Sequence, residues 1–113
     1  MLTINHEKPT TVDIIELAGI LNADTSPRLE ALLEPLANSD NSQILFHIPE
    51  LTYISSAGIG CFIGVIKRIR EKNGDIRFSG MAPKVKRVFK LLDMDDFFKF
   101  FDTKEQGIDS YNP

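Results

Sequence analysis

The sequence contains little of what several classes of protein require. It has one cysteine, Cys61, which cannot form an internal disulfide, and such low usage is typical of a reducing cytoplasm. No apolar run approaches the ~20 residues of a membrane span, and residues 1–7 contain no basic segment followed by an apolar one. The net charge of −3 disfavours general binding to nucleic acid or anionic membranes. We therefore expect a cytoplasmic protein with no direct membrane insertion and no nucleic-acid partner.

The motifs of common enzyme classes are also missing. No Gly-x-Ser-x-Gly turn surrounds Ser55 or Ser56, no histidines and cysteines stand at metal-ligand spacing, and no phosphate-binding glycine loop occurs. His6 and His47 are far apart in sequence, and His47 is expected to face solvent or to form a hydrogen bond on its strand rather than act as a base. We predict no catalytic activity, no metal and no cofactor.

The composition is that of a single folded domain, expected over residues 1–113 with its core at about 2–102. With 42% apolar and 26% charged residues, the chain can bury a core and remain in solution. Periodicity and turn residues predict strands at Leu2–His6, Thr11–Leu17, Gln43–Ile48, Asp75–Ser79 and Phe97–Phe101. The polar residues from Asp102 to Pro113 are expected to fray.

Three helices are predicted between these strands. Ser26 is expected to cap the first, with Pro27 as its first residue, and Pro35 to kink or end it near Glu34. The second is expected from about Ser56 to Asn73, and the third from Gly80–Pro83 to about Leu92. Alternation of strands and helices implies parallel crossovers. We therefore predict an α/β fold with a mixed sheet of four to five strands and helices packed mainly on one face.

The most informative stretch is Tyr53 to Phe62, which joins a predicted strand to the second helix. Its serines are good helix caps, and capping alone would explain them. From Ser56 to Ile66 there is no charged side chain. An apolar stripe, expected in the core, contains Ile59, Phe62, Ile63, Ile66 and Ile69, and a stripe of small residues contains Ala57, Gly60, Cys61 and Gly64.

Glycine within a helix costs about 1 kcal/mol relative to alanine, so Gly58, Gly60 and Gly64 require a reason. Close packing on the sheet and close approach of a partner both remain open. Cys61 is expected to be a packing residue rather than a reactive thiol.

The third helix has a basic side. Its core stripe is predicted from Val85, Val88, Phe89 and Leu92, and its other face carries Lys84, Lys86, Arg87 and Lys90. This face is expected to be solvated, and engagement of an acidic partner or a phosphate is the alternative.

The strand, the Tyr-Ile-Ser-Ser-Ala-Gly-Ile-Gly segment and the helix that follows resemble the STAS domain family, and most of all its single-domain anti-sigma-factor antagonists. Further matches lie at Gly19–Pro27 and Ser79–Leu92, so the resemblance covers roughly Val12 to Phe101. The family's usual signature is Asp-Ser-Ser-Gly, with its first serine phosphorylated. Ser55, Ser56, Ala57 and Gly58 take those four positions in that order.

The resemblance implies a non-enzymatic partner switch. The unmodified protein would bind an anti-sigma factor that is also a serine protein kinase, phosphorylation at Ser56 would release it, and a PP2C-type phosphatase would reverse the modification. A monomer or weak homodimer is expected. The surface implied for the partner comprises Asn22, Asp24, Thr25, Ser55, Ser56, Ala57, Gly58, Ile59 and Gly60. The alternative is a structural STAS subunit of a stressosome-like or lipid-transport complex, without phosphorylation.

The chain departs from the family pattern at three positions that are often acidic. Asn22, His47 and Ser55 are neutral here. If they cluster around Ser56, the local field is less negative than usual, which would favour a phosphorylated serine. A different partner, or loss of the switch, is an equally open interpretation.

Overall fold

A computed structural model describes residues 1–112, and Pro113 lies outside the described part. Along the chain the elements are β1 (Leu2–Glu7), β2 (Val12–Leu21), α1 (Ser26–Ala37), β3 (Gln43–His47), β4 (Leu51–Ile54), α2 (Ser56–Glu71), β5 (Asp75–Ser79), α3 (Pro83–Leu91), β6 (Lys99–Phe101) and α4 (Lys104–Asp109).

One mixed sheet has the order β1-β2-β3-β5-β6, and β4 pairs with the far half of β2. β1 and β2 are antiparallel, whereas β2–β3, β3–β5, β5–β6 and β2–β4 are parallel. The predicted mixed α/β sheet is confirmed, with six strands among the described residues instead of four to five.

The additional strand, β4, explains why β2 extends beyond its predicted end at Leu17. Pro49 follows β3, and the chain then crosses to pair Leu51 with Gly19 and Ile54 with Leu21. On its other side, Gly19 pairs with Leu2 of β1. The β1 pairing ends at Gly19, the Ile20 N–H donates to the Met1 carbonyl at 2.9 Å, and β4 alone pairs with β2 as far as Leu21.

The core lies between the sheet and α1, α2 and α3. Phe46 and Phe78 of the sheet contact Phe62 of α2, with ring centroids 4.9 and 5.0 Å apart respectively, and Phe89 of α3 lies 5.3 Å from Phe78. Edge-to-face pairs of this kind contribute about 0.5–1.5 kcal/mol beyond the area they bury.

Two of the predicted core stripes need correction. On α2, Ile59, Phe62, Ile66 and Ile69 are buried as expected, but Ile63 is 42% exposed. At 100° per residue, Ile63 lies on the arc of Gly60 and Lys67, away from the sheet. On α3, Val85 and Phe89 are buried while Val88 is half-buried and Leu92 is 41% exposed, since this short helix ends at Leu91.

The start and the proline of α1 also differ from expectation. Thr25, not Ser26, is the N-cap, and Ser26 is the first helical residue. The helix continues through Pro35 to Ala37. Pro35 and Ala31 lie on the exposed side, where water can satisfy the carbonyl that loses its helical donor.

Within the tail predicted to fray, residues 104–109 form α4 on the opposite face of the sheet, and Pro113 of that tail lies outside the described residues. Neighbouring strand residues point to opposite faces, so Leu45 faces away from the Phe46 core. Leu45 joins Val12 and Ile14 in a second cluster, against which Ile108 and Tyr111 pack. The Tyr111 hydroxyl donates to the carbonyl oxygens of Ile44 (2.6 Å) and Asp75 (2.9 Å). Both faces of the sheet therefore carry a helix.

Candidate functional site

The start of α2 is anchored to the end of β2. The Ser55 N–H donates to the Leu21 carbonyl at 3.0 Å, and the Ser55 hydroxyl accepts from the Gly58 N–H at 3.2 Å. Ser55 is therefore the N-cap, which leaves the adjacent Ser56 free of that role.

Ser56 is the first residue of α2, and it is exposed. The first turn of a helix presents N–H groups without intrahelical acceptors and the positive end of the helix dipole. No acidic residue lies in this first turn. A negative group on Ser56 would therefore meet favourable local electrostatics.

The loop from Asn22 to Thr25 lies beside this helix start, because Leu21 contacts both Ser55 and Gly58. The Asn22 side-chain oxygen accepts from the N–H groups of Asp24 (3.0 Å) and Thr25 (3.1 Å). The Thr25 hydroxyl donates to the Ile20 carbonyl at 2.9 Å and accepts from the Asn22 N–H at 2.9 Å. Asn22 and Thr25 thus shape the loop, and Ala23 and Asp24 are its exposed members.

The implied partner surface is divided by burial. Ala57 and Gly60 are exposed beside Ser56, whereas Gly58 and Ile59 are buried. A Cβ atom added at Gly58 would lie 2.8 Å from the Leu21 carbonyl oxygen, and Ile59 is 0% exposed. Gly58 and Ile59 therefore position the start of the helix, and the exposed part of the predicted partner surface on α2 consists of Ser56, Ala57 and Gly60.

The sequence missed one exposed residue of this surface, Ile63, which lies two turns along from Ser56. Gly60 and Gly64 flank it, and a Cβ atom added to either would meet nothing within 4 Å. The spacing of seven residues from Ser56 could have placed Ile63 on the same face as the serine. We call Ser56, Ala57, Gly60, Ile63 and Gly64 the α2 surface.

Cys61 does not belong to this surface. It is buried, with its sulfur 3.7 Å from the Ser26 carbonyl oxygen, and burial raises the pKa of its thiol. A raised pKa lowers the thiolate fraction, in agreement with the predicted packing role.

Two of the three neutral positions, Asn22 and Ser55, lie beside the α2 start, and His47 does not join them. His47 shares the sheet face of Leu45 and α4, with its Nδ1 2.8 Å from the Ser79 hydroxyl. Burial lowers the pKa of His47, nearby Lys104 lowers it further, and Glu16 and Glu105 partly oppose this. The expected cluster around Ser56 therefore contains two neutral positions instead of three.

Within residues 1–112, no helix combines the length and apolar character that crossing a bilayer requires. In the same range, no three His, Cys, Asp or Glu side chains are grouped so that they could hold a metal ion.

Within residues 1–112, the mixed sheet has six strands, and a serine pair stands at the start of α2, the longest helix of this range. The family model described as STAS domain matches residues 3–107, and the chain belongs to this family.

Similar proteins are named as antagonists of anti-sigma factors. An anti-sigma-B factor antagonist of Staphylococcus aureus is 24% identical over 82 residues, covering 73% of this chain and 76% of that protein. The unphosphorylated anti-sigma factor antagonist SpoIIAA matches with a TM-score of 0.82 at 20% identity, over 96% of this chain and 95% of that one. The phosphorylated form of SpoIIAA from Bacillus has a TM-score of 0.76 at 19% identity, over 96% and 98% of the two chains.

Proposed function

We propose that this protein is a phosphorylation-controlled partner switch of the anti-sigma-factor-antagonist kind, with Ser56 as its modified residue. The observation that carries the proposal is an exposed, non-capping serine at the first turn of α2, next to exposed and uncharged residues. The chain itself performs no catalysis in this scheme. It is the substrate of a serine kinase that is also an anti-sigma factor, and a PP2C-type phosphatase restores it.

Phosphorylation should leave the fold nearly unchanged. Phosphoserine carries a charge of about −1.5 to −2 at neutral pH. At a helix N-terminus that charge is stabilised by free N–H groups and the dipole, by about 0.3–1 kcal/mol. Since Ser55 supplies the cap, modification of Ser56 does not remove the hydrogen bond to Gly58.

The partner would respond far more strongly than the fold. It would bury part of the α2 surface, which has no charged side chain, and phosphate would place a hydrated dianion at its edge. Burial of such a charge without a matched cation costs several kcal/mol. A change in the ratio of bound to free protein from 99:1 to 1:99 requires about 5.5 kcal/mol. The cost of burying one phosphate is therefore large enough to release the partner.

The decisive experiment begins with intact-mass measurement and peptide mapping of the protein purified from its own host, which should place one phosphate on Ser56. Partner affinity is then measured for the unmodified and phosphorylated forms, for Ser56→Ala and for Ser56→Asp. We expect Ser56→Ala to bind like unmodified protein, Ser56→Asp to bind more weakly, and phosphorylated protein to bind hardly at all.

Ser55→Ala is the matched control, since it should lose the cap and remain a substrate for phosphorylation. Phosphate on Ser55, or equal binding of both forms, would refute the switch. A protein that never carries phosphate would instead support the structural-subunit role. We further propose that residues 1–113 act in the cytoplasm as one monomeric or weakly dimeric domain, which sedimentation analysis would test.

A further inference from the structure

The outward face of α3 is a concentrated positive surface on a negative molecule. Lys84, Lys86, Arg87 and Lys90 are all exposed, and this helix contains no acidic residue. The whole chain has a net charge of −3, and α3 contributes +4, so the rest of the chain carries −3 − 4 = −7. We call these four cations, together with Leu91, the α3 basic face.

The domain does not neutralise these cations. Elsewhere basic side chains form close ion pairs, such as Arg68 with Glu34 at 2.7 Å and Lys104 with Glu16 at 2.8 Å. Within residues 1–112, none of the four α3 cations has a carboxylate within 4.0 Å. Asp95 borders the same groove as Lys86, Arg87 and Lys90, yet it forms no such pair.

An exposed apolar residue lies among the cations. Leu91 is 75% exposed, and it follows Lys84 and Arg87 at spacings of seven and four residues, which places all three on one side of the helix. Beside them, the Lys86 ammonium lies 5.3 Å from the centre of the Phe100 ring, a cation–π distance that restricts this long side chain. The face therefore offers both charge and an apolar contact.

We propose that the α3 basic face is a second interaction surface, which binds an acidic segment of a protein partner with an apolar side chain seated on Leu91. Charge complementarity selects carboxylates, and the exposed leucine selects an apolar neighbour among them. The surface shares no residue with the α2 surface. The proposal does not depend on phosphorylation at Ser56, and either proposal can fail without the other.

Two other polyanions fit less well. A membrane-bound amphipathic helix inserts its apolar side, but Val85 and Phe89 of α3 are already in the core. The charge of −7 on the rest of the chain would also be repelled by an anionic bilayer or by nucleic acid, whose charged surfaces extend beyond one helix. A short acidic segment contacts α3 alone and avoids this repulsion.

The test is an NMR titration of the ¹⁵N-labelled full chain with a synthetic peptide of Glu and Asp residues around a central leucine. We expect amide shifts confined to residues 83–92 and binding that weakens steeply between low and high salt, as exposed charges require. A peptide with serine in place of leucine should bind more weakly, and one with lysine in place of the acids should not bind.

Charge reversal supplies the matched variants. Arg87→Glu with Lys90→Glu should weaken peptide binding by about fivefold or more, since each exposed ion pair is worth about 0.2–1 kcal/mol and reversal adds repulsion. Lys99→Glu is the control, because Lys99 is also exposed and outside α3, and it should change affinity less than about twofold. Leu91→Ala should abolish the difference in affinity between the peptide with a central leucine and the peptide with serine in its place.

The measurement can overturn the proposal in three ways. Amide shifts spread over lysines in all elements would show a general charge effect. A loss of peptide affinity in Lys99→Glu as large as that in the α3 variant would show the same. Tighter binding of phosphatidylglycerol vesicles or duplex DNA than of the peptide would assign the face to those partners. The unchanged amide spectrum of each variant outside α3 confirms that the domain remains folded.

Discussion

At the residue scale, two adjacent serines have separate roles. The Ser55 hydroxyl accepts a hydrogen bond from the Gly58 N–H, whereas Ser56 is exposed in the first turn of α2. Ser55→Ala should lower the free energy of unfolding by about 1 kcal/mol, the usual cost of a lost N-cap.

Urea denaturation of both single alanine variants would check this. Ser56→Ala should change the free energy of unfolding by less than about 0.5 kcal/mol, as for exposed sites without special contacts. A larger loss in Ser56→Ala than in Ser55→Ala would show that the cap is assigned to the wrong serine.

The glycines of α2 are also distinguished by their surroundings. At Gly58 a methyl group would lie 2.8 Å from the Leu21 carbonyl oxygen and 2.9 Å from the Leu21 Cγ, whereas at Gly60 it would meet nothing within 4 Å. Gly58→Ala should therefore destabilise the domain by about 1–3 kcal/mol through overpacking. Gly60→Ala should stabilise it by up to about 1 kcal/mol, because alanine is the better helix former.

Thermal and urea unfolding of the two variants provide the comparison, and partner binding adds a second measurement. If Gly60 is retained for close approach of a partner, Gly60→Ala should weaken binding while it raises stability. Stabilisation of Gly60→Ala without any effect on binding would show that the partner does not contact Gly60.

At the element scale, one half-buried tyrosine, Tyr111, attaches the C-terminal end of α4 to the sheet. The Tyr111 hydroxyl donates to two sheet carbonyls, and the Arg77 guanidinium lies 4.0 Å from the ring centre. Burial raises the pKa of Tyr111 above its usual range, so the phenol remains protonated as the donor. Tyr111→Phe keeps the ring under Arg77 and removes only the hydroxyl.

We expect Tyr111→Phe to lose about 1 kcal/mol of stability, the net value of a typical hydrogen bond, and to increase amide exchange in α4. Tyr53→Phe is the control, because Tyr53 is 54% exposed and its loss of a hydroxyl should be nearly neutral. Equal effects of the two changes in urea denaturation would contradict the role of Tyr111 as an anchor.

At the scale of the whole molecule, the second sheet face introduces a pH dependence. The imidazole of His47 bonds Ser79, faces Glu16, Lys104 and Glu105, and has a pKa lowered chiefly by burial. A folded-state pKa below the unfolded value means that the unfolded chain binds the proton first. The contribution of His47 to stability is therefore fully present above its unfolded-state pKa of about 6.5, and it is lost as the pH falls towards its folded-state pKa.

His47→Gln should reduce the fall in the free energy of unfolding between pH 7.5 and pH 5. This range lies above the pH at which most carboxylates titrate. Urea unfolding at a series of pH values measures the slope, and NMR titration of the ring protons measures the pKa of His47 directly. If the free energy of unfolding had the same slope against pH in the variant and the wild type, the pH dependence would not come from His47.

Local patterns determined much of this protein before any contact was known. The apolar spacing predicted the three long helices, and the alternation of strands and helices predicted the mixed sheet, because both depend on side-chain period. The serine pair and the uncharged start of α2 were visible as a motif. The basic face of α3 was equally visible, since charge on an exposed helix is read directly from residue order.

Other features depend on residues that are distant in sequence. β4 exists because the far half of β2 offers unpaired backbone, and α4 forms because Leu45, Val12 and Ile14 leave an apolar patch on the second face. Which serine is the cap was decided by the hydrogen bond from Ser55 to Leu21, which fixes the angle at which α2 begins. The same packing buries Gly58 and leaves Gly60 open, since the Leu21 carbonyl meets only one side of the helix.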